Sequence, residues 1–374
     1  AKAVDEYFPL LEQDTSRMAV EAERRIYAML AFEGSSRATE KALMSRTDST
    51  SSGRAMRLLA THHIQQDDFE TAFEFALRQD SLDSMKGSAL IYFMRQAREK
   101  KRFDQVLKMG DTLLAMYANA PGLTDARFGY AEALVQTGKY DSAISVYRSI
   151  VGTTASDNDK AEAMYRVGMV YADRLRNCER ALQVFDTVLA QHQRGFGYLK
   201  ALREIPLCHL RLGNLREAER ALNRLAALRL QDEVLEETAY RRGLIQFFRK
   251  DFDSTKAIFQ KLMVDFPRGF YVNDALRIQM TMSEAAEDTS LMYDYSNALY
   301  FQLQRQPDSA EAQYEALVNA ENQALAGVSL LTLAEMALER PDTTRAMTRL
   351  DRLLTNFPDS YYVPFGVKMK ADIL

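Results

Sequence analysis

Tryptophan is absent from the 374 residues, and cysteine occurs only twice. Two cysteines cannot staple a small disulfide scaffold. The four histidines, His62, His63, His192 and His209, do not stand at metal-ligand spacing from one another or from a cysteine, so no metal site is expected. Glycine (16) and proline (8) are scarce, and no Gly-rich phosphate loop, Walker-type run or Gly-x-Ser-x-Gly turn occurs. Apolar runs extend only a few residues, far short of the roughly 20 that cross a bilayer. The net charge of −4 is spread over interleaved acidic and basic residues, which argues against a dedicated nucleic-acid or membrane surface. The carboxylate pairs at Asp67 and Glu236 read as charge at helix starts, where the dipole favours it, rather than as acid–base catalysts. No catalytic residue and no cofactor is expected, and the chain reads as a non-enzyme.

What remains is helix-forming material. Hydrophobic residues make up 47% and charged residues 27%, and Ala, Leu, Arg, Glu, Gln and Met are abundant, so the fold class is all-α. The segment from Tyr130 to Val151, YAEALVQTGKYDSAISVYRSIV, spaces Ala131, Gly138, Tyr140, Ala143, Tyr147 and Ile150 as a helix, a tight turn and a second helix. Gly138 supplies the left-handed residue that ends the first helix. Ala143 is small because two antiparallel helices cross closely there, and a larger side chain should overpack the crossing by about 1–3 kcal/mol. The pattern returns with Gly168, Ala181 and Phe185, where the turn carries one extra residue, then with Gly213, Ala218 and Leu222, and with Gly243, Phe252 and Phe259. Farther on it reappears with Ala310, Tyr314 and Leu317 and with Ala346, Leu350 and Leu353, and earlier around Phe69 and Phe103.

These offsets resemble the tetratricopeptide repeat, a helix-turn-helix unit of about 34 residues. The resemblance implies an α-solenoid, a right-handed superhelix of antiparallel helix pairs, with about nine repeats and a C-terminal helix. Residues 1–52 fit as a weakly matching N-terminal repeat or cap, 53–270 as the array, 271–305 as an irregular segment with an extra helix, and 306–374 as C-terminal repeats with a capping helix. Pro206 stands at a small-residue position, so a kink is expected near it. Two linkers rhyme, DFPRGFYVNDALRI from Asp265 and NFPDSYYVPFGVKM from Asn356, 91 residues apart, with five helices expected between them. In each, proline ends a helix, and the aromatics Phe270 and Tyr271, or Tyr361 and Tyr362, are expected to cover the finished hairpin.

The resemblance also implies that first helices line a concave groove. Its offsets select Phe128, Tyr165, Met169, Lys200, Arg203, Arg211, Tyr240, Phe247 and Phe248, an aromatic and basic surface suited to a protein or peptide partner. Phe247→Ala or Arg203→Glu is expected to weaken partner binding and leave the fold intact. The expected function is a non-enzymatic protein–protein interaction scaffold. The alternative is a sensor solenoid that binds a peptide or small effector and signals to a separate domain. Cys178 and Cys208 lie at equal distances from a turn near residues 193–195, so they are either a candidate disulfide or two buried thiols; a bridge closing about thirty residues would contribute roughly 3–4 kcal/mol. The linker form FPDSYYV resembles linkers of bacterial envelope tetratricopeptide proteins, of the outer-membrane assembly lipoprotein and Tol–Pal coordinator type. That implies a periplasmic or outer-membrane-associated location, with cytoplasm as the alternative. The opening AKAVDEYFPL has no targeting signal and reads as a mature form or an excised piece.

Overall fold

The computed structural model describes residues 2–11, 17–50, 52–82, 87–118, 120, 122–153, 155–192, 196–228 and 230–374. Among these residues every regular element is helical. The chain divides into two compact units, 1–177 with 186–198, and 178–185 with 199–374.

In the first unit α1 (Lys2–Leu11), α2 (Arg17–Ala31) and α3 (Glu33–Thr50) precede three hairpins: α4 (Gly53–Gln65) with α5 (Phe69–Leu82), α6 (Ser88–Glu99) with α7 (Phe103–Met116), and α8 (Leu123–Gln136) with α9 (Tyr140–Val151). Then come α10 (Asp157–Met169) and α11 (Cys178–Gln191), whose first residues belong to the second unit. That unit holds most of α12 (Phe196–Arg211), then α13 (Leu215–Ala226), the hairpin of α14 (Asp232–Phe248) and α15 (Phe252–Asp265), and α16 (Val272–Glu284). It ends with the hairpins α17 (Thr289–Leu303)/α18 (Pro307–Val318) and α19 (Ala326–Glu339)/α20 (Thr343–Asn356), and with α21 (Val363–Ile373).

The hairpins follow from small residues at crossings and left-handed residues at turns. Ala131 and Ala143 are fully buried between α8 and α9, and a Cβ on Gly243 would overlap the Phe259 ring between α14 and α15. Gly138 has φ +78°, as the turn requires. The same conformation is held by Asp67, Lys101, Arg176, Lys250 and Arg305, with φ between 51° and 67°, although it costs a residue with a Cβ roughly 1–2 kcal/mol. The extra residue expected in the turn before Cys178 is absorbed instead by a π-helical segment, Val170–Arg174, continuing α10, where Leu175 N donates to Val170 O at 3.0 Å. Pro206 does not end its helix: α12 continues to Arg211. The turn near 193–195 lies outside the described residues.

Ion pairs join residues about one repeat apart. Arg57 meets Glu23, Lys108 meets Glu70, Arg203 meets Glu237, and Arg345 and Arg349 meet Glu311, all across 34 to 38 residues of chain.

The two rhyming linkers share one geometry. Phe266 (φ −130°, ψ 62°) and Phe357 (φ −131°, ψ 54°) leave helical conformation just before a proline, as the ring of the next residue demands. Gly269 N then donates to Phe266 O at 2.9 Å, and Ser360 N to Phe357 O at 3.0 Å. Only the second aromatic of each pair covers a hairpin: Tyr271 stacks on Tyr240 at 4.8 Å and Tyr362 is buried, whereas Phe270 is 82% exposed. Five helices, α16 to α20, stand between the linkers. The unpaired one, α16, packs on α15 and reaches forward, with Arg277 bonded to Glu335 of α19 and Thr281 in hydrogen-bond contact with the Tyr362 hydroxyl at 3.3 Å.

Candidate functional site

Within the second unit, α14, α16, α17 and α19 surround an open cleft of about 430 Å³, with Arg211 of α12, Arg305 of the turn between α17 and α18, and Tyr314 of α18 at its wall. Its floor is aromatic and aliphatic: Tyr240, Leu244, Phe248, Ile278, Tyr295, Leu299 and Tyr314. These residues face inward because they occupy the apolar stripes of their helices. Phe248 stacks on Tyr300 at 4.4 Å, and the Tyr314 hydroxyl donates to Gln302 Oε1 at 3.3 Å. Burial raises the hydroxyl pKa of Tyr240, Tyr295 and Tyr314, so all three stay protonated as neutral hydrogen-bonding groups. One wall carries the Arg277–Glu335 pair, with Arg277 Nη1 3.1 and 3.3 Å from the two carboxylate oxygens. Asp274, Glu339, Arg211 and Arg305 complete a rim of both signs.

Of the residues expected to line a groove, Arg211, Tyr240 and Phe248 meet in this cleft. Phe247 does not: it is fully buried, packed against Phe252 at 5.6 Å and Tyr295 at 6.4 Å, because it falls on the side of α14 that faces α15 and α17. Arg203 lies outside the cleft and is bound to Glu237, with Nη2 at 2.9 Å. Glu237 also takes Arg241 at 2.7 Å and the Tyr271 hydroxyl at 3.4 Å, so it gathers three groups in a nearly buried cluster. Its neighbour Glu236 is buried too, and its carboxylate accepts Phe270 N at 3.1 Å and Tyr271 N at 2.6 Å. The pair Glu236 and Glu237 therefore anchors a linker and an ion cluster; it is not loose charge at a helix start. Lys200 is exposed on α12.

Three of the expected residues lie in the first unit. Phe128 tilts on Tyr147 at 6.1 Å beneath the Arg166 guanidinium at 5.5 Å, and Met169 lines a smaller cleft of about 230 Å³ with Glu132 and Arg166. Tyr165 is half-buried on α10. A further cleft of about 630 Å³, lined by Tyr27, Arg57, Tyr92 and Phe93 of α2, α4 and α6, holds none of them.

Cys178, the first residue of α11, and Cys208 of α12 are both buried free thiols. Interaction with Cys208, with the charges of Arg211 and Arg305, brings the Cys178 thiol down to about 7 against the opposing effect of burial. The same interaction, together with burial, pushes Cys208 far up. No group of three or more His, Cys, Asp or Glu side chains able to hold a metal ion occurs among the described residues. Likewise no described helix is long and apolar enough to cross a membrane.

Each of the two units is built largely of helical hairpins. Residues 100–159 and 329–360 match family models described as tetratricopeptide repeat. The first match spans α7 to α9, and the second spans most of α19, all of α20 and the linker that begins at Asn356. No curated protein sequence matches the chain. Solved structures similar to it include a tetratricopeptide repeat protein from Parabacteroides merdae ATCC 43184, at 14% identity and TM-score 0.45 over 76% of this chain and 99% of that one. Naa15/Naa10 bound to HypK-THB is similar at 14% identity and TM-score 0.47, over 100% of this chain and 60% of that one. The human IFIT1 dimer with PPP-AAAA is similar at 13% identity and TM-score 0.41, over 82% and 72%.

Proposed function

We propose that the chain is a protein-binding scaffold and that the cleft of its second unit seats a peptide segment of a partner protein. The observation that carries this reading is the cleft itself, open, floored by neutral tyrosines and a phenylalanine, and rimmed by charges of both signs. Rigid aromatic rings give contact area at little entropic cost, and arginines beside them orient carboxylates and backbone carbonyls. Tetratricopeptide repeats support the same reading. A photo-crosslinking residue at Gln302, on the cleft wall, should trap a partner polypeptide in native cells, while one at exposed Lys261 of α15 should not. Equal trapping at the two positions would sink the proposal. The linker form NFPDSYY supports a bacterial envelope location, periplasmic or at the outer membrane, and fractionation of native cells that finds the protein in the cytoplasm would rule it out.

A further inference from the structure

We propose that the cleft beside the first of the two rhyming linkers docks a lysine- or arginine-bearing segment of a partner protein, with the Phe270 ring against the cation and Asp232 and Glu233 as its counter-charges. This open cleft of about 750 Å³ lies between the start of α14 and the linker that follows α15, and it shares no lining residue with the aromatic cleft described above. Phe266, Pro267 and Phe270 make its apolar wall, and five carboxylates against two arginines line the rest. Two of those carboxylates are engaged internally: Glu236 holds the backbone of Phe270 and Tyr271, and Glu237 holds Arg203 and Arg241. Asp232 and Glu233 are exposed in the first turn of α14 and pair with no described side chain. Phe270, 82% exposed, meets only Tyr271 among the described rings, edge-on at 5.1 Å, and no described cation lies over it.

The linker geometry asks for neither the acids nor the bare ring. In the second linker, 91 residues on, the same turn forms with Gln323 and Ala324 where Asp232 and Glu233 stand, and α19 carries no acid in its first turn. Tyr361 replaces Phe270 there and leans on Phe365 at 5.7 Å, whereas Asp274 holds the position equivalent to Phe365 in the first linker and gives Phe270 no such support. A buried carboxylate thus fixes, by two backbone hydrogen bonds, a ring that faces outward beside two acids without partners. Ring face and carboxylates attract the same chemistry, a cation, and their effects add. A lysine or arginine of an extended segment supplies it, while the neighbouring residues of that segment lie along Phe266 and Pro267. This surface stands whether or not the aromatic cleft seats a peptide.

The test titrates the folded full chain into a fluorescein-labelled peptide of four Lys-Ser repeats and reads anisotropy. The wild type should bind, and raising the salt from about 50 to about 300 mM should weaken binding. Asp232→Asn combined with Glu233→Gln should weaken it about fivefold. Phe270→Ala should weaken it about threefold. Asp104→Asn combined with Asp141→Asn removes the same charge from exposed first-turn acids of α7 and α9 and should stay within about twofold of the wild type. Glu339→Gln, at the rim of the aromatic cleft, should do the same. No binding by the wild type, an equal loss in the Asp104 and Asp141 variant or in Glu339→Gln, or unchanged affinity in either variant of the linker cleft would each overturn the proposal.

Discussion

The Glu236 carboxylate fills the space that a Cβ on Gly269 would need, and from there it accepts the backbone N–H groups of Phe270 and Tyr271. The second linker solves the same problem with the residues exchanged. Gly327 stands 91 residues after Glu236 and Ser360 stands 91 after Gly269, and a Cβ on Gly327 would overlap the Ser360 hydroxyl. Ser360 Oγ accepts Tyr362 N at 3.3 Å, taking over what Glu236 does for Tyr271. Gly269→Ser alone should therefore destabilise by about 1–3 kcal/mol through overlap with Glu236. Combined with Glu236→Gly it should cost at least about 1 kcal/mol less than the two single changes added together. Urea unfolding of the four proteins measures that coupling, and strict additivity would refute the exchange.

Backbone strain at the turns can be tested separately from packing. Nothing lies within 4 Å of a Cβ placed on Gly138, so Gly138→Ala should cost about 1 kcal/mol from the left-handed backbone alone. The reverse change at exposed Lys101, φ +58°, should gain a similar amount, about 1 kcal/mol, after allowing for the greater freedom of glycine in the unfolded chain. Thermal melts of both variants check the opposite signs.

Core and cleft positions on α14 should separate cleanly. Phe247→Ala removes a fully buried ring and should cost about 3–5 kcal/mol, so loss of binding in that variant would report unfolding and not contact. Arg241→Met would leave Glu237, itself nearly buried, with one cationic partner, and should cost about 3 kcal/mol. Arg203→Glu would set a carboxylate against Glu237 and lower stability as well. Circular dichroism melts distinguish these from cleft-rim variants such as exposed Glu339→Ala, which should stay within about 0.5 kcal/mol of the parent.

Acid should weaken the first unit through His62. Burial lowers its pKa, with the neighbouring His63 adding to the effect, so the folded state holds it neutral where the unfolded chain would protonate it. Its contribution to stability is present above the ordinary histidine value of about 6.5 and is lost as pH falls below it, because the unfolded state then binds more protons. The His62 ring resonance in NMR should titrate below 6.5, and His62→Gln should flatten the stability profile between about pH 5 and 7. A midpoint above 6.5 would reverse the sign.

The helical hairpins were legible because Ala131, Ala143, Gly138 and Tyr147 must obey crossing and turn geometry whatever the partner. The cleft was legible only on one wall. Arg211, Tyr240 and Phe248 follow repeat offsets, but Phe247 shares their helix and differs only by its angle around the axis, and the offsets did not resolve that angle. Arg277, Tyr295 and Glu335 were missed since they meet through α16, whose position against α19 depends on contacts across 58 residues that no local pattern encodes. Arg203 carried a basic charge in the sequence, and Glu237, which satisfies it, sits a full repeat away.

The long reach of α16 has a mechanical consequence. The other described ion pairs of the second unit tie residues at most 38 positions apart, so tension drawn through it would load one hairpin at a time and peel it at low force. Arg277 and Thr281, fastened 58 and 81 residues ahead, instead put the helices from α16 to α20 in parallel under the load. That stretch should give way as one rigid block, in a single large extension, after the softer hairpins around it have already let go.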